Sequence, residues 1–521
     1  MPKKVIVIGS GPGGYPAALR LRELGAEVTM VESWELGGTC LNRGCIPSKA
    51  FLDAGHRVHA FDGLRALLKD DSGVSFSPAM LDWNKVKARR AEVITKLRTS
   101  LEKLFQAKKI EVLRGKAAFS GPKEITVTGP QGEVKRAFDA AILAAGTRPS
   151  FPPPFRDFHD ELTDSDRVFD LPRLPKSLLI VGGGVIGLEF ACFFNAVGVE
   201  VSVLEILPEI LAGEDPQVIR AVRSSFEKRG VKFHTGRTTA CIDISDGTKT
   251  VELDDGTKLR AEEILVGAGR AADLGGMGLE TLGLAWDRKG VKADAGLRTS
   301  VPDVFAVGDV NGISLLAHSA SRQGEIAAEN IMGADRVFDA DLVPRCVYAW
   351  PEVGSVGLNK AQAEAKGLAV KTSRSFYLGV GKAVATGETE GFAQLVFNAA
   401  DETVLGAQLV GGPATELIHL IALAVKMKLK RADLKEIIYA HPTMAEAIHE
   451  ALKSTRLIYD VCIHLLWLYK MYCDSIGGQK QVELQGSVRI DSNYSWKVRR
   501  SPPFLTSAPE WRQTFRGLVS C

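Results

Sequence analysis

The chain lacks several features that would assign it to other classes of protein. It has eight cysteines in 521 residues, too few for a disulfide scaffold. No apolar run reaches the ~20 residues needed to span a bilayer. The first 450 residues contain no concentrated basic block, and the formal net charge is only +3. We therefore expect neither a nucleic-acid partner nor a membrane span.

We expect no targeting leader at the start of the chain. Met-Pro-Lys-Lys runs directly into the apolar residues 5–8, which are too few for a signal peptide, and no Arg/Ser-rich leader precedes them. We expect a cytoplasmic protein, or a mature chain that has already been processed. The length predicts three or more domains.

Two segments share one pattern, a short apolar strand followed by a glycine-rich turn, a helix and a second strand that ends in glutamate. The residues are Gly9, Gly11, Gly14 and Glu32 in the first segment, and Gly182, Gly184, Gly187 and Glu205 in the second. In both, the glutamate follows the first glycine by 23 positions (9 to 32, 182 to 205).

This pattern is typical of dinucleotide binding. The first glycine permits the tight turn, the second lets a pyrophosphate approach the backbone, and the third lets helix and strand pack closely. The acid is placed to bind ribose hydroxyls. Two such units predict two dinucleotides. A carboxylate at Glu205 repels a 2′-phosphate, and residues 205–211 contain no arginine, so NAD is favoured over NADP.

Cys40 and Cys45 are the only cysteines close together in sequence. Five positions apart on an ideal helix, they would lie on different faces, but Asn42 and Gly44 allow a local distortion that brings them together. A thiolate near a helix N-terminus has a lowered pKa, and Lys49 adds positive charge. The alternatives are two unpaired thiols or half a zinc site. No second close Cys/His pair supplies the missing zinc ligands, and we expect no metal.

Residues 38–49, Gly-Thr-Cys-Leu-Asn-Arg-Gly-Cys-Ile-Pro-Ser-Lys, resemble the redox signature of the pyridine nucleotide-disulfide oxidoreductases, in particular of their dihydrolipoamide-oxidising branch. The resemblance covers about residues 4–452. It implies an α/β fold with two Rossmann-like domains, for FAD and NAD, and a C-terminal α+β dimerisation domain. The expected boundaries are 1–150 and 276–341 for the FAD-binding parts, 151–275 for NAD, 342–452 for dimerisation and 453–521 for an unassigned tail.

Further site residues follow from this resemblance. Lys49 is expected to pair with Glu189 beside the flavin. Other expected cofactor contacts are Ala117, Gly146, Gly269, Asp309 and Ala317. Residues 144–149 resemble the family's turn near FAD, with alanine instead of threonine at position 145.

The stretch 440–446 resembles the family's acid/base segment. There His441 is the acid/base and Glu446 orients it. Thr443-x-x-Glu446 is also a good capping box, and we expect a Glu446 carboxylate committed to the cap to be unavailable to His441. The resemblance gives no support for a catalytic role of His449, and we expect it to be structural or solvated.

The resemblance implies oxidation of dihydrolipoamide, with electrons passing through the Cys40–Cys45 disulfide and FAD to NAD. It implies a homodimer, because the histidine serves the partner's cysteines, and a lipoyl-bearing acyltransferase of a 2-oxoacid dehydrogenase complex as partner. The alternatives are a glutathione reductase-like enzyme, which needs NADP-binding arginines, and a mercuric reductase-like enzyme, which needs a vicinal cysteine pair near the C-terminus. The third alternative is a flavoprotein subunit without enzymatic activity. In the tail, residues 457–469 fit an amphipathic helix, but we favour an added segment without a catalytic role.

Overall fold

The computed structural model describes residues 1–65, 67, 81–130, 132–245 and 247–453, and three short strands further on. The chain divides into two units, Met1–Lys453 and Ser454–Cys521. The amphipathic helix predicted at 457–469 and the three late cysteines lie outside the described residues.

The helices of the first unit, as far as its residues are described, are α1 (Gly14–Glu23), α2 (Gly38–Arg43), α3 (Cys45–Arg65), α4 (Trp83–Ala107), α5 (Val185–Ala196), α6 (Pro216–Lys228), α7 (Ala317–Ile331), α8 (Lys360–Ala365), α9 (Gly381–Thr386), α10 (Ala414–Lys426), α11 (Arg431–Lys435) and α12 (Glu446–Leu452).

Its strands are β1 (Lys4–Ile8), β2 (Glu27–Glu32), β3 (Glu111–Arg114), β4 (Lys116–Gly121), β5 (Glu124–Gly129), β6 (Gly132–Ala137), β7 (Ala140–Leu143), β8 (Thr147–Pro149), β9 (Thr163–Asp164), β10 (Ser177–Val181), β11 (Glu200–Glu205), β12 (Lys232–Thr235), β13 (Thr239–Ser245), β14 (Thr248–Leu253), β15 (Lys258–Ala261), β16 (Glu263–Val266), β17 (Arg270–Ala272), β18 (Trp286–Asp287), β19 (Gly290–Val291), β20 (Val304–Ala306), β21 (Arg345–Val347), β22 (Val353–Gly357), β23 (Val370–Phe376), β24 (Phe392–Asn398) and β25 (Val404–Val410).

The first nucleotide-type unit is built on a parallel sheet of order β20-β7-β1-β2-β3. The β1 residues Val5 to Ile8 are almost fully buried, as expected for a strand covered on both faces. The region 276–341 returns to this unit, because it supplies β20 and α7. A side chain at Gly324 of α7 would lie 2.2 Å from the Gly13 carbonyl, so α7 and α1 pack at backbone contact.

The second nucleotide-type unit repeats this arrangement with the parallel order β12-β11-β10-β16-β9. Ser177 pairs with Glu200 as Lys4 pairs with Glu27 in the first sheet. In both units the second strand ends at the predicted glutamate. The predicted βαβ repeat is confirmed, and it places both glycine turns at the carboxyl ends of parallel strands, where open α/β sheets bind ligands.

The C-terminal region is an antiparallel sheet of order β21-β22-β25-β24-β23. Helices α10 and α12 contribute Ile418, Ile421 and Ile448 to its apolar core. The separate unit Ser454–Cys521 contains a three-stranded sheet. Its strands are Glu483–Leu484, Val488–Ile490 and Trp496–Val498. Among the described residues, no helix is both long enough and apolar enough to cross a bilayer.

Candidate active site

One continuous cleft of about 2040 Å³ is lined by residues of both nucleotide-type units. That is larger than the ~300–1,000 Å³ typical of a site for one small ligand. Its lining includes Gly9, Gly11, Glu32, Cys40, Cys45, Lys49, Ala117, Gly146, Gly182, Gly184, Glu189, Glu205, Gly269, Asp309 and Ala317. Four predicted residues are not part of the lining, namely Gly14, Gly187, His441 and Glu446.

We call the glycine turn 9–14, together with Glu32, the first cradle. It shows why glycine is needed at each of its three positions. Gly9 has φ +99°, and a Cβ there would lie 2.3 Å from the Ala144 carbonyl oxygen. A Cβ on Gly14 would lie 1.8 Å from the Gly9 oxygen, so Gly14 acts by letting helix and strand pack. The nearest atom to a Cβ on Gly11 is 3.9 Å away, which leaves that side open to a ligand.

Glu32 ties the first cradle together. Its Oε2 accepts hydrogen bonds from the backbone N–H (2.9 Å) and the hydroxyl (2.6 Å) of Ser10, and its Oε1 accepts one from the N–H of Trp34 (2.8 Å). Glu32 therefore fixes the turn as well as facing the cleft. Sequence reasoning missed Ser10, which has no signal beyond its place after the first glycine.

The second cradle, which is the glycine turn 182–187 together with Glu205, repeats this geometry. A Cβ on Gly187 would lie 2.0 Å from the Gly182 oxygen. Glu205 accepts hydrogen bonds from the N–H groups of Gly183 (2.6 Å) and Leu207 (2.8 Å), the positions that correspond to Ser10 and Trp34. Gly184 has no atom within 4 Å of its Cβ position.

Helices α1, α5 and α7 begin at the cleft without a side-chain cap. The residues before α1, α5 and α7 make no capping hydrogen bond through a side chain. Backbone N–H groups in the first turn of a helix need a partner, and such a terminus favours anions. Asp309, which accepts a hydrogen bond from the Thr147 hydroxyl at 2.9 Å, adds an acceptor for hydroxyl groups. The open cradles and the helix N-termini without side-chain caps fit FAD in the first nucleotide-type unit and NAD in the second.

The two cysteines lie on either side of a helix break. Helix α2 ends at Arg43 and α3 begins at Cys45, with Gly44 between them at φ −135°, ψ −114°. A side chain at Gly44 would lie 2.9 Å from the Thr39 carbonyl oxygen. The structure thus contains the distortion predicted at Gly44. Both cysteines are free thiols here, and each lies close enough to shift the pKa of the other.

The cysteine thiols differ in acidity. The hydrogen bond from Cys40 holds the pKa of Cys45 below its ordinary value, and the positive charge of Lys49 acts in the same direction. The same hydrogen bond, together with burial, raises the pKa of Cys40. Cys45, in the first turn of α3, is therefore the more acidic of the two thiols.

Lys49 forms an ion pair with Glu189, as the sequence predicts, with Nζ 2.8 and 3.0 Å from the two carboxylate oxygens. Tyr348, which sequence reasoning missed, contacts both partners. Its ring lies 4.3 Å from Lys49 Nζ, and its N–H donates to Glu189 Oε1 at 3.1 Å. Burial raises the pKa of Tyr348 to about 12, so the ring stays neutral and attracts the ammonium group.

His441 is bound to Glu446 through Nδ1, at 2.9 Å from Oε1. The other oxygen, Oε2, accepts the N–H of Thr443 at 3.0 Å. The prediction that a capping Glu446 is unavailable to His441 is wrong, because a carboxylate has two oxygens and each takes one role. Thr443 completes no capping box, since its hydroxyl donates to the Ala440 carbonyl instead. The hydrogen bond from His441 lowers the pKa of Glu446.

The side chain of His441 is 76% exposed and is absent from the cleft lining of its own chain. It is therefore free to face another subunit. His449 stacks on Tyr439, with ring centroids 4.6 Å apart, which accounts for it as a packing residue. The described residues contain no group of three or more His, Cys, Asp or Glu side chains placed to hold a metal ion.

Comparison with known proteins gives the class. Residues 3–324 match the profile of the pyridine nucleotide-disulphide oxidoreductases, and residues 343–452 match the dimerisation domain of that family. The chain belongs to the pyridine nucleotide-disulphide oxidoreductase family. The predicted fold class is confirmed, and the chain is an oxidoreductase that uses FAD and a pyridine nucleotide.

Two relatives narrow the assignment. Dihydrolipoyl dehydrogenase from Zymomonas mobilis is 38% identical over 455 residues, which is 86% of this chain and 96% of the relative. The enzyme of the same name from Geobacillus stearothermophilus is 36% identical and covers 86% and 95% of the two chains. The fold is also that of LpdA from Mycobacterium tuberculosis, with a TM-score of 0.81 at 24% identity over 87% of this chain and 99% of LpdA.

Proposed function

We propose that this protein is an NAD-dependent dihydrolipoyl dehydrogenase. The observation that carries the proposal is the Cys40–Cys45 pair beside Lys49 and Glu189, in a cleft that also contains both nucleotide cradles. Lys49 comes from the first nucleotide-type unit and Glu189 from the second, so the ion pair marks where these two nucleotide-type units meet. The dihydrolipoyl dehydrogenase relatives match over most of their length, which supports this substrate.

In the proposed reaction, one thiol of dihydrolipoamide attacks the oxidised pair at Cys40. A mixed disulfide forms, and Cys45 leaves as a thiolate stabilised by Lys49. The second substrate thiol then attacks the mixed disulfide, which releases the cyclic disulfide product and leaves Cys40 protonated. The enzyme now holds the electron pair as a thiol and a thiolate. FAD and NAD supply the electron and hydride chemistry that side chains lack.

His441 takes up the substrate thiol proton in this scheme. Its Nδ1 is bound to Glu446, which leaves Nε2 as the proton acceptor. Glu446 keeps the ring orientation and stabilises the protonated form. Because His441 is exposed and lies outside the cleft of its own chain, we propose that it serves the cysteines of the partner in a homodimer. The family's dimerisation domain supports this arrangement.

NAD is the proposed acceptor because carboxylates dominate the ribose end of the second cradle. Glu205 faces the cleft there. The nearby Arg237, which sequence reasoning missed, also lines the cleft, but its guanidinium lies 3.1 Å from Asp255 and 3.7 Å from Asp254. An arginine already paired with carboxylates is a poor receptor for a 2′-phosphate.

The lipoyl group is proposed to come from an acyltransferase of a 2-oxoacid dehydrogenase complex, a proposal that rests on the dihydrolipoyl dehydrogenase relatives. The proposed compartment is the cytoplasm. A reducing environment agrees with Cys192 and Cys346, which are buried free thiols.

Two assays test these proposals. The first compares NAD reduction by dihydrolipoamide with glutathione disulfide reduction by NADPH, and we expect only the former at a useful rate. Faster turnover with glutathione disulfide would favour the glutathione reductase-like alternative. The second mixes Cys45→Ser and His441→Gln subunits. We expect each homodimer to be inactive and the mixed dimer to regain one complete site, whereas no regain would refute a site shared between subunits.

A further inference from the structure

A chain of charged side chains crosses the cleft from the cysteine pair to Asp309. Arg43, which lies between the two cysteines in sequence, has Nε 3.2 Å from Asp166 Oδ2. The other oxygen of Asp166 lies 3.2 Å from Nη1 of Arg270. Arg270 also donates to the Thr147 hydroxyl at 2.9 Å, and that hydroxyl donates to Asp309 at 2.9 Å. We call Arg43, Asp166 and Arg270 the ion-pair chain.

Burial distinguishes two members of the ion-pair chain, Asp166 and Arg270, from ordinary surface pairs. The side chains of Asp166 and Arg270 are only 12% and 11% exposed. Exposed pairs contribute little, whereas removing one partner of a buried pair leaves an uncompensated charge. Each oxygen of Asp166 faces its own guanidinium, so neutralising this carboxylate would affect Arg43 and Arg270 together.

The members of the ion-pair chain come from different units. Arg43 ends α2 in the redox segment, and Asp166 lies just after β9 of the second parallel sheet. Arg270 is in β17, which pairs with β8, the strand that contains Thr147. The contact between Arg43 and Asp166 therefore joins the first nucleotide unit to the second across the cleft that all these residues line.

At its other end, the ion-pair chain reaches the loop that closes the first cradle. The guanidinium of Arg43 lies 3.9 Å from the centre of the Trp34 ring, a cation–π contact. The N–H of Trp34 is the group that binds Glu32. The contacts thus run from the acid of the first cradle, through the redox segment and the second unit, to Asp309.

We propose that the ion-pair chain is a positioning device that retains FAD by holding the two nucleotide units closed over the first cradle. The inference rests on the assignment of FAD to that cradle. A ligand escapes when its cleft opens, and opening here must separate Arg43 from Asp166. Loss of either side chain is therefore expected to speed FAD release without changing the cradle glycines.

The test is the rate at which the FAD-loaded protein releases flavin after dilution, followed by the recovery of flavin fluorescence. We expect Arg43→Gln and Asp166→Asn each to release FAD about tenfold faster or more, the size of effect expected when a contact to a buried charge is lost. Arg43→Lys keeps the charge and should release FAD at an intermediate rate. The matched control is Glu200→Gln, which breaks an exposed pair with Lys232 and should leave the rate unchanged.

The double variant gives the sharper result. If Arg43 and Asp166 act through one contact, adding Arg43→Gln to Asp166→Asn should raise the rate of FAD release little further. Two independent structural effects would instead multiply the two increases in rate. Arg43 is more exposed than Asp166, so Arg43→Gln remains informative if Asp166→Asn fails to fold. Release at the wild-type rate from a folded Arg43→Gln protein overturns the proposal. A wild-type protein that purifies without FAD and takes up none would instead overturn the cofactor assignment.

Discussion

The two nucleotide cradles have nearly the same backbone and different surroundings. Each has a first glycine at positive φ, a third glycine at backbone contact with the first, and a glutamate that accepts two N–H groups from matching positions. The matching residues are offset by 173 positions (9 to 182, 32 to 205). The shared part is what any dinucleotide needs, because a pyrophosphate and a ribose make the same demands in both places.

The surroundings separate the two cradles. Glu32 is 7% exposed, and Arg43 stacks on Trp34 in the loop after it, although Trp34 itself is 43% exposed. Glu205 is only half-buried, and Ile206 and Leu207 beside it are exposed. A closed cradle suits a cofactor that stays bound, and an open one suits a nucleotide that must leave after every turnover. The difference in burial therefore agrees with FAD in the first cradle and NAD in the second.

The largest effects are expected from the third glycines. Gly14→Ala and Gly187→Ala each push a methyl group against a backbone carbonyl, at 1.8 and 2.0 Å in the present backbone. Such overpacking typically costs ~1–3 kcal/mol and displaces the helix. We expect Gly14→Ala to lose FAD, and Gly187→Ala to keep FAD but reduce NAD at least about a hundredfold more slowly. Flavin content measures the loss of FAD, and the rate of NAD reduction measures the slower turnover. FAD loss from Gly187→Ala alone would reverse the assignment of the cradles.

Smaller effects are expected from the two acids. Glu32→Gln and Glu205→Gln keep the shape of the side chain but turn one acceptor into a donor that faces a backbone N–H. Hydrogen bonds to charged groups contribute ~1.5–3 kcal/mol, so we expect roughly a tenfold or larger loss of affinity in each case. Glu205→Gln should raise KM for NAD with full flavin content, and Glu32→Gln should weaken FAD binding. If both variants change the same parameter, the cradles are not distinct sites.

The ion pair between the units gives a pH-dependent prediction. Lys49→Met removes a positive charge that favours the Cys45 thiolate, and it leaves Glu189 unpaired nearby. Both changes disfavour the thiolate, so the pKa of Cys45 should rise. The rate of Cys45 alkylation by iodoacetamide, followed by mass spectrometry, should therefore reach its midpoint at higher pH than in the wild type. Lys116→Met, which also changes a cleft lysine, is the control and should leave the midpoint in place. An unchanged midpoint in Lys49→Met would remove Lys49 from this role.

The smallest effect is expected from deletion of residues 454–521. All proposed site residues precede this segment, and the dimerisation domain ends at residue 452. We expect turnover and flavin content to stay within about twofold, since changes away from the site have little effect. A clear change in turnover would show that the tail influences His441, most directly by packing near the dimer interface.

Local sequence patterns were sufficient for much of this site. The glycines, Glu32, Glu205 and the cysteines occur at spacings that the chemistry itself requires, so each could be predicted from a short stretch. Tyr348, Asp166 and Arg270 could not, because tertiary packing brings them to the cleft from distant segments and no local pattern marks them. Glu446 was misjudged for a geometric reason, since only coordinates show its two oxygens serving different partners.

The most direct test of the account is NAD reduction by dihydrolipoamide, measured for the wild type and for Cys45→Ser at equal flavin content, with NADP in place of NAD as a second comparison. The account predicts fast reduction of NAD by the wild type, little reduction of NADP and none in the variant. Rapid NAD reduction by Cys45→Ser, or a preference for NADP, would contradict it.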